Sequence, residues 1–150
     1  QFKKIKNYTD IVGISSYAYA FYSLKNAGDP ENLPSNWLSQ IKDIAPDKSY
    51  AIVETAWAAE DVEIKETGVK IKTYPDLQAD YVKKLLEEAQ SLKAHTVIWL
   101  SLYDFDLLWE DKLQDPMTAI WKDSGLIDEE LDSREGLDVW DNWLKLPVAD

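Results

Sequence analysis

Tyr50-Ala-Ile-Val-Glu-Thr-Ala-Trp57 is a short apolar run, preceded by the turn formers Pro46, Asp47 and Lys48 and broken near its end by a carboxylate. Such a run predicts a buried strand, with Glu54 at its C-terminal end. An ionised Glu next to Ile52 and Val53 costs several kcal/mol if it is buried without partners. Two readings follow: the strand has ended and Glu54 is solvated, or Glu54 faces a wet cleft that uses a carboxylate.

On the N-terminal side, Asp10-Ile-Val-Gly-Ile-Ser-Ser-Tyr-Ala-Tyr19 reads as another strand, with Gly13, Ser15, Tyr17 and Tyr19 on one face and Val12 and Ile14 on the other. Phe2–Tyr8 fits the tail of an amphipathic helix. A loop rich in turn formers (Asn26 to Glu31) leads to a predicted helix from Pro34 to Pro46, with Trp37, Leu38, Ile41 and Ile44 on one stripe. On the C-terminal side, residues 58–73 are irregular and charged, and Val69 and Ile71 beside Gly68 suggest a small hairpin or a lid. Pro75 opens the clearest helix, running to about Lys93, with Leu77, Tyr81, Leu85, Ala89 and Leu92 at core spacing. A third strand is expected over His95–Tyr103, with Ile98, Leu100 and Leu102 as its apolar face and Val97, Trp99, Ser101 and Tyr103 opposite. Asp104–Pro116 is acidic and aromatic, and a segment around Ile120 and Trp121 stops near Gly125. A last helix is expected to be capped by Ser133 and to present Leu137, Trp140, Trp143 and Leu144 before Pro147.

Composition narrows the partners. The 150 residues are 45% hydrophobic, enough for one domain over 1–150, and carry a formal net charge of -12. That charge disfavours nucleic acid and anionic membrane surfaces, and no apolar run is long enough for membrane insertion. With no Cys and a single His (His95, expected to be structural), thiol chemistry, His-based zinc sites and a Ser-His-Asp triad are poorly supplied, and no cofactor or metal is expected. Seven Trp and eight Tyr offer flat faces with polar edges, for which sugar rings are a natural partner. The chain begins at Gln1, as expected of a processed or truncated product.

Strands alternating with helices give an α/β fold with a parallel sheet. A nucleotide-binding sheet is disfavoured, because no strand is followed by a Gly-rich turn and there are only five Gly. Strands with one small or polar face and one aliphatic face fit a (β/α)8 barrel, of which three parallel strands with flanking helices are only the C-terminal part, since a whole barrel takes about 250 residues. In such barrels functional groups stand at the C-terminal ends of strands, where Tyr17, Tyr19, Glu54, Trp57, Tyr103 and Asp104 fall.

The runs Asp10–Tyr17, Val53-Glu-Thr-Ala-Trp57, Val97–Asp104, Gly125-Leu-Ile-Asp128 and the closing Val139-Trp140 together resemble the second half of a clan A retaining glycoside hydrolase, in the manner of the endo-galactanase group. The resemblance implies strands six to eight, a carbohydrate substrate (a plant-type or other polysaccharide), and a secreted or periplasmic location. It also implies that Glu54 is the nucleophile ending strand seven, with Tyr17 or Tyr19 donating a hydrogen bond to it and Trp99 or Trp57 forming an apolar floor for the sugar. Core packing is the other reading of each aromatic, and the expected one for Trp37, Trp140 and Trp143. The family's acid/base Glu ends strand four, which precedes this chain. Asp104, Asp106 and Glu60 are the nearest substitutes, so the chain alone is expected to be inactive unless the N-terminal barrel half is supplied. The alternative is a silent carbohydrate-binding or scaffold half barrel that pairs with a second copy through its open edges.

Overall fold

The computed structural model describes Lys4, residues 6–21 and residues 28–147. Most of the helix tail expected over Phe2–Tyr8 and the first part of the loop after Phe21 lie outside these residues; Lys6–Tyr8 form one 3-10 turn. Three strands, β1 (Ile11–Ser16), β2 (Ser49–Thr55) and β5 (Val97–Trp99), make a parallel sheet in the order β1-β2-β5. The other two, β3 (Val62–Ile64) and β4 (Val69–Ile71), form the expected hairpin, antiparallel and turned through Gly68 at φ +71°. It is more than a solvated rim, because Val62, Ile64 and Ile71 are all buried.

The chain runs from β1 to β2 through short helical turns: α1 (Ala18–Phe21), a 3-10 turn at Pro30–Asn32, and α2 (Ile41–Ile44). The single amphipathic helix expected after Pro34 is not formed. Backbone bonds there mostly span three residues, as in Trp37 N–H to Pro34 O and Ile41 N–H to Leu38 O, a tighter winding suited only to short pieces. Trp37 and Leu38 are buried as expected, but Ile44 is exposed. Between the hairpin and β5 lies α3 (Pro75–Leu92), started by Pro75 and ended by Lys93 in the left-handed conformation, whose N–H reaches the Ala89 and Gln90 carbonyls. Of its buried residues, Tyr81, Leu85, Ala89 and Leu92 cover the sheet core, and Val82 and Leu86 form a second apolar patch with Leu126. Away from these buried positions, Lys84 and Glu88 bond the Pro30 carbonyl (3.1 Å) and the Ser39 N–H (3.2 Å) of the preceding crossover.

After β5 come α4 (Asp106–Leu108), a π-helical stretch Trp109–Leu113, a 3-10 segment Pro116–Trp121 and α5 (Glu135–Leu144). Ser133 does not cap α5: its backbone pairs with Ile127, and Arg134 holds the cap position without a side-chain capping bond. Trp140 and Trp143 pack with Leu137 and Val139 against Val82, Leu86 and Leu126, while Leu144 is exposed. Gly136 lets α5 approach α3, since a Cβ there would stand 3.1 Å from Gln78 Oε1 and from Leu126.

The centre of the core is a chain of aromatic rings. Trp57 stacks on Tyr81 at 4.5 Å, Tyr19 tilts against Trp57 at 5.4 Å, and Trp99 lies between Tyr81 (5.9 Å) and Trp140 (6.4 Å). This cluster reverses the expected facing of β5. Trp99 and Val97 turn toward the core, with Trp99 Nε1 donating to Ser124 O at 2.9 Å, while Ile98 and Leu102 are about half exposed. His95 is exposed, and its backbone N–H donates to Tyr50 O at 2.8 Å. Among the described residues no helix is long and apolar enough to cross a membrane. Trp57→Ala should lower unfolding free energy by about 3–5 kcal/mol, the usual cost of emptying a buried aromatic site; urea titration checks this as a lower midpoint at unchanged slope.

Candidate active site

The position of Glu54 is set by one extra residue in β2. Ile14 pairs with Ile52, but the next residue, Ser15, pairs with Glu54, so Val53 has no partner on β1; toward β5 the register shifts over the same step, Ile52 facing Val97 and Thr55 facing Trp99. Strict alternation would put Glu54 on the face of Ile52, which is fully buried. The bulge rotates it to the face of Gly13 and Ser15 and leaves Thr55 inside. Val53 shares that open face, and Gly13 makes room for it: a Cβ at Gly13 would stand 3.1 Å from Val53 Cγ1.

On this face Glu54 is half-buried and held by two hydroxyls from the neighbouring strand's end. Ser15 Oγ donates to Glu54 Oε2 at 3.2 Å, and the Tyr17 hydroxyl donates to Oε1. Burial, then the hydrogen bond to Glu54 and its charge, push the Tyr17 phenol well above its ordinary pKa, so it remains a proton donor. Tyr17 is fixed in turn by the Trp121 ring, edge-on at 5.6 Å. Immediately after Glu54, Thr55 Oγ1 bonds the Ser16 carbonyl (2.8 Å) and the Tyr81 hydroxyl (2.6 Å), and the Thr55 carbonyl accepts the Leu100 N–H at 2.9 Å. The carboxylate is therefore anchored from both flanking strands.

The other expected site residues divide. Tyr19 leaves the β1 face because the strand ends at Ser16 and α1 begins; its ring is buried and its hydroxyl donates to the Ile120 carbonyl. Trp57 has no exposed surface, and its Nε1 donates to Gly28 O at 3.1 Å. Both are core residues here, as Trp99 largely is. Tyr103 is half exposed and joins Ile127 through a backbone bridge.

Asp104 is a brace. Its Oδ1 accepts the Gly125 N–H (2.6 Å) and an Arg134 N–H (2.8 Å), its Oδ2 lies 2.7 Å from the same guanidinium nitrogen, and its side chain is 1% exposed. Burial raises the Asp104 pKa, opposed by Arg134. Arg134 also bonds Gly125 O (3.0 Å) and reaches Glu60 at 3.4 Å. Asp106 pairs with Lys122 at 2.7 Å, and Lys122 also meets Asp123 at 3.3 Å. The Asp104, Asp106 and Asp123 carboxylates lie within 4.8 Å of one another, close enough to share a metal ion, but Lys122 and Arg134 already supply cations to them. The three suggested substitutes for the acid/base group, Asp104, Asp106 and Glu60, are thus each engaged with a cation. Sequence reasoning missed Arg134, although it is the one arginine of the chain among 28 acidic residues. It also passed over Ser15 as a ligand of Glu54, which only the bulge brings opposite.

The fold has known counterparts. The chain superposes on part of the Faecalibacterium prausnitzii β-glucuronidase with a TM-score of 0.64 and 20% identity, covering 95% of this chain and 23% of that one. The β-glucuronidase of Bifidobacterium dentium, solved with coumarin-3-O-glucuronide, gives 0.62 and 18%, covering 93% and 21%, and that of Dictyoglomus thermophilum 0.61 and 15%, covering 93% and 23%. The chain thus has the mixed α/β fold of a segment of these enzymes and spans under a quarter of their length. These three are β-glucuronidases, not endo-galactanases. No protein-family model and no curated protein matches the sequence.

Asp123 offers a test of the acidic network. Burial pushes its pKa up to about 7, with Lys122 opposing and Asp106 and Glu60 reinforcing. An unfolded Asp titrates near 4, so the stabilisation from its protonated form is complete below about pH 4 and lost as pH rises through about 7. Asp123→Asn, neutral throughout, should therefore gain stability relative to the parent on going from about pH 5 to about pH 8. Urea titrations of both at the two pH values check this; a pH-independent difference would contradict it.

Proposed function

We propose that residues 1–150 are the nucleophile-bearing portion, strands six to eight, of a (β/α)8 retaining glycoside hydrolase acting on a β-linked sugar, with glucuronides the first class to try. The observation that carries this is the Glu54 carboxylate on the open face at the C-terminal end of β2, clamped by Ser15 and Tyr17. The fold shared with β-glucuronidases supports the substrate class.

The clamp suits a nucleophile. Two hydroxyl donors from the neighbouring strand's end fix the carboxylate in orientation. Glu54 would attack the anomeric carbon and form a glycosyl ester while the glycosidic oxygen departs with a proton from a second carboxylic acid about 5 Å away. Water would then cleave the ester, giving its proton back to that second group. The resemblance puts the second carboxyl at the end of strand four, so in this reading it comes from the other part of the barrel. That part would also hydrogen-bond the free edges of β1 and β5 and cover Ile11, Val53 and Ile98, which are 49%, 42% and 50% exposed. The same exposed edges favour the second reading, a silent half barrel whose edges are covered by another copy.

In the complete protein, Glu54→Gln should lower kcat on an aryl β-glucuronide by about a thousandfold or more, roughly 4 kcal/mol of barrier. Tyr17→Phe removes one hydrogen bond to a charged group, about 1.5–3 kcal/mol, and should cost roughly ten- to a hundredfold. Steady-state kinetics decide: turnover unchanged in Glu54→Gln excludes the nucleophile role.

A further inference from the structure

Trp121 stands beside the clamp on Glu54, and its backbone is held from two sides. The hydroxyl of the buried Tyr19 donates to the carbonyl of Ile120, one residue earlier. The Trp121 carbonyl accepts the Ser124 N–H at 3.3 Å, and the Ser124 hydroxyl lies 2.8 Å from that carbonyl and 2.9 Å from the carbonyl of Leu100, just past β5. Ser124 is fully buried. The end of the 3-10 segment is thereby tied to the exits of both β1 and β5. Placed in this way, the indole meets the Tyr17 ring edge-on, with centroids 5.6 Å apart and planes at 70°.

The two side chains have complementary hydrogen-bonding capacity left over. A phenol carries one proton and two lone pairs, and Tyr17 directs its proton at Glu54 Oε1, so its oxygen can still accept. The Trp121 indole N–H can only donate. It is buried and has no acceptor in hydrogen-bonding geometry among the described residues, a costly state for a donor. Electrostatics point to the same oxygen: burial and then Glu54 push the Tyr17 phenol's pKa up, and the Trp121 N–H is the neighbour that pulls it down. Hydrogen bonds in an unoccupied site are commonly long or poorly aligned and tighten in use.

We propose that Trp121 is a positioning residue for the nucleophile: its indole N–H donates to the Tyr17 hydroxyl oxygen, so that a relay runs from Trp121 through Tyr17 to Glu54. The inference rests on the glycosidase reading above and adds a residue to its machinery. A hydroxyl that accepts one hydrogen bond becomes a stronger donor of its own. The gain matters most in the second step. As water bonds the anomeric carbon and passes its proton to the second carboxyl group, the bond from that carbon to Glu54 breaks with its electron pair on the carboxylate. A firmer Tyr17 donor meets that returning charge.

The test compares the complete protein with Trp121→Phe, Tyr17→Phe and the double variant, each checked for folding by circular dichroism. Release of a 2-deoxy-2-fluoro sugar from the trapped protein reports the second step alone. Trp121→Phe should slow it by about threefold or more in the parent and leave it unchanged in the Tyr17→Phe background, where the relay is already cut. Lost packing alone would slow both backgrounds equally; that result, or no slowing in the parent, overturns the inference. A second readout needs no turnover. In nitrogen–proton correlation spectra, the indole signal that contacts the Tyr17 ring should lose its downfield hydrogen-bond shift in Tyr17→Phe, which keeps the ring but not the oxygen. An unmoved signal also overturns the relay. Failure of the glycosidase reading is separately visible, as unchanged turnover in Glu54→Gln while the indole signal still responds to Tyr17→Phe.

Discussion

The bulge at Val53 is the constraint on which the site depends. Without the extra residue, the alternation that buries Tyr50 and Ile52 would carry Glu54 into the core beneath α3, where an unpaired carboxylate is costly. With it, the strand buries Ile52 and Thr55 and still delivers a carboxylate to the opposite face, opposite Ser15. Parallel pairing on both sides fixes the bulge, because β1 and β5 both shift register over the same step of β2. A local departure from regular pairing thus becomes a defined direction for one side chain.

Two further systems hold that direction. The aromatic chain from Tyr19 through Trp57, Tyr81 and Trp99 to Trp140 fills the space between sheet and helices and anchors the strand ends from below, with Tyr81 bonded to Thr55 next to Glu54. Above the sheet, Arg134 gathers Asp104, Glu60 and the Gly125 carbonyl, and Lys122 gathers Asp106 and Asp123. Buried pairs of this kind add little net stability over apolar packing, but breaking one leaves a stranded charge, so they fix the arrangement of the loops after β5. Their cost is visible in Asp123, which burial drives toward the neutral form.

Much of this was legible in the residues. The three parallel strands, the hairpin, the helix from Pro75 and the end-of-strand place of Glu54 follow from apolar runs bounded by Pro, Gly and polar turns, the strongest signals a sequence carries. A Tyr17 or Tyr19 hydroxyl as partner of Glu54 came with the family resemblance, and it is Tyr17 that reaches the carboxylate. The errors share a cause: period arguments assume that an element continues. β1 stops at Ser16, sending Tyr19 inward, and β5 turns Trp99 rather than Ile98 to the core, because an indole that can stack on Tyr81 and donate to Ser124 outweighs an aliphatic at that face. Nor does alternation show a bulge, and no local pattern shows that the lone Arg134 meets Asp104 thirty residues earlier in the chain.

The most direct measurement is covalent trapping. The complete protein, incubated with an activated 2-deoxy-2-fluoro glycoside that slows ester hydrolysis, would be digested and its peptides weighed by mass spectrometry. The account predicts one modified peptide, carrying the sugar on Glu54. A label on any other carboxylate of a protein that turns over the parent glycoside would contradict it.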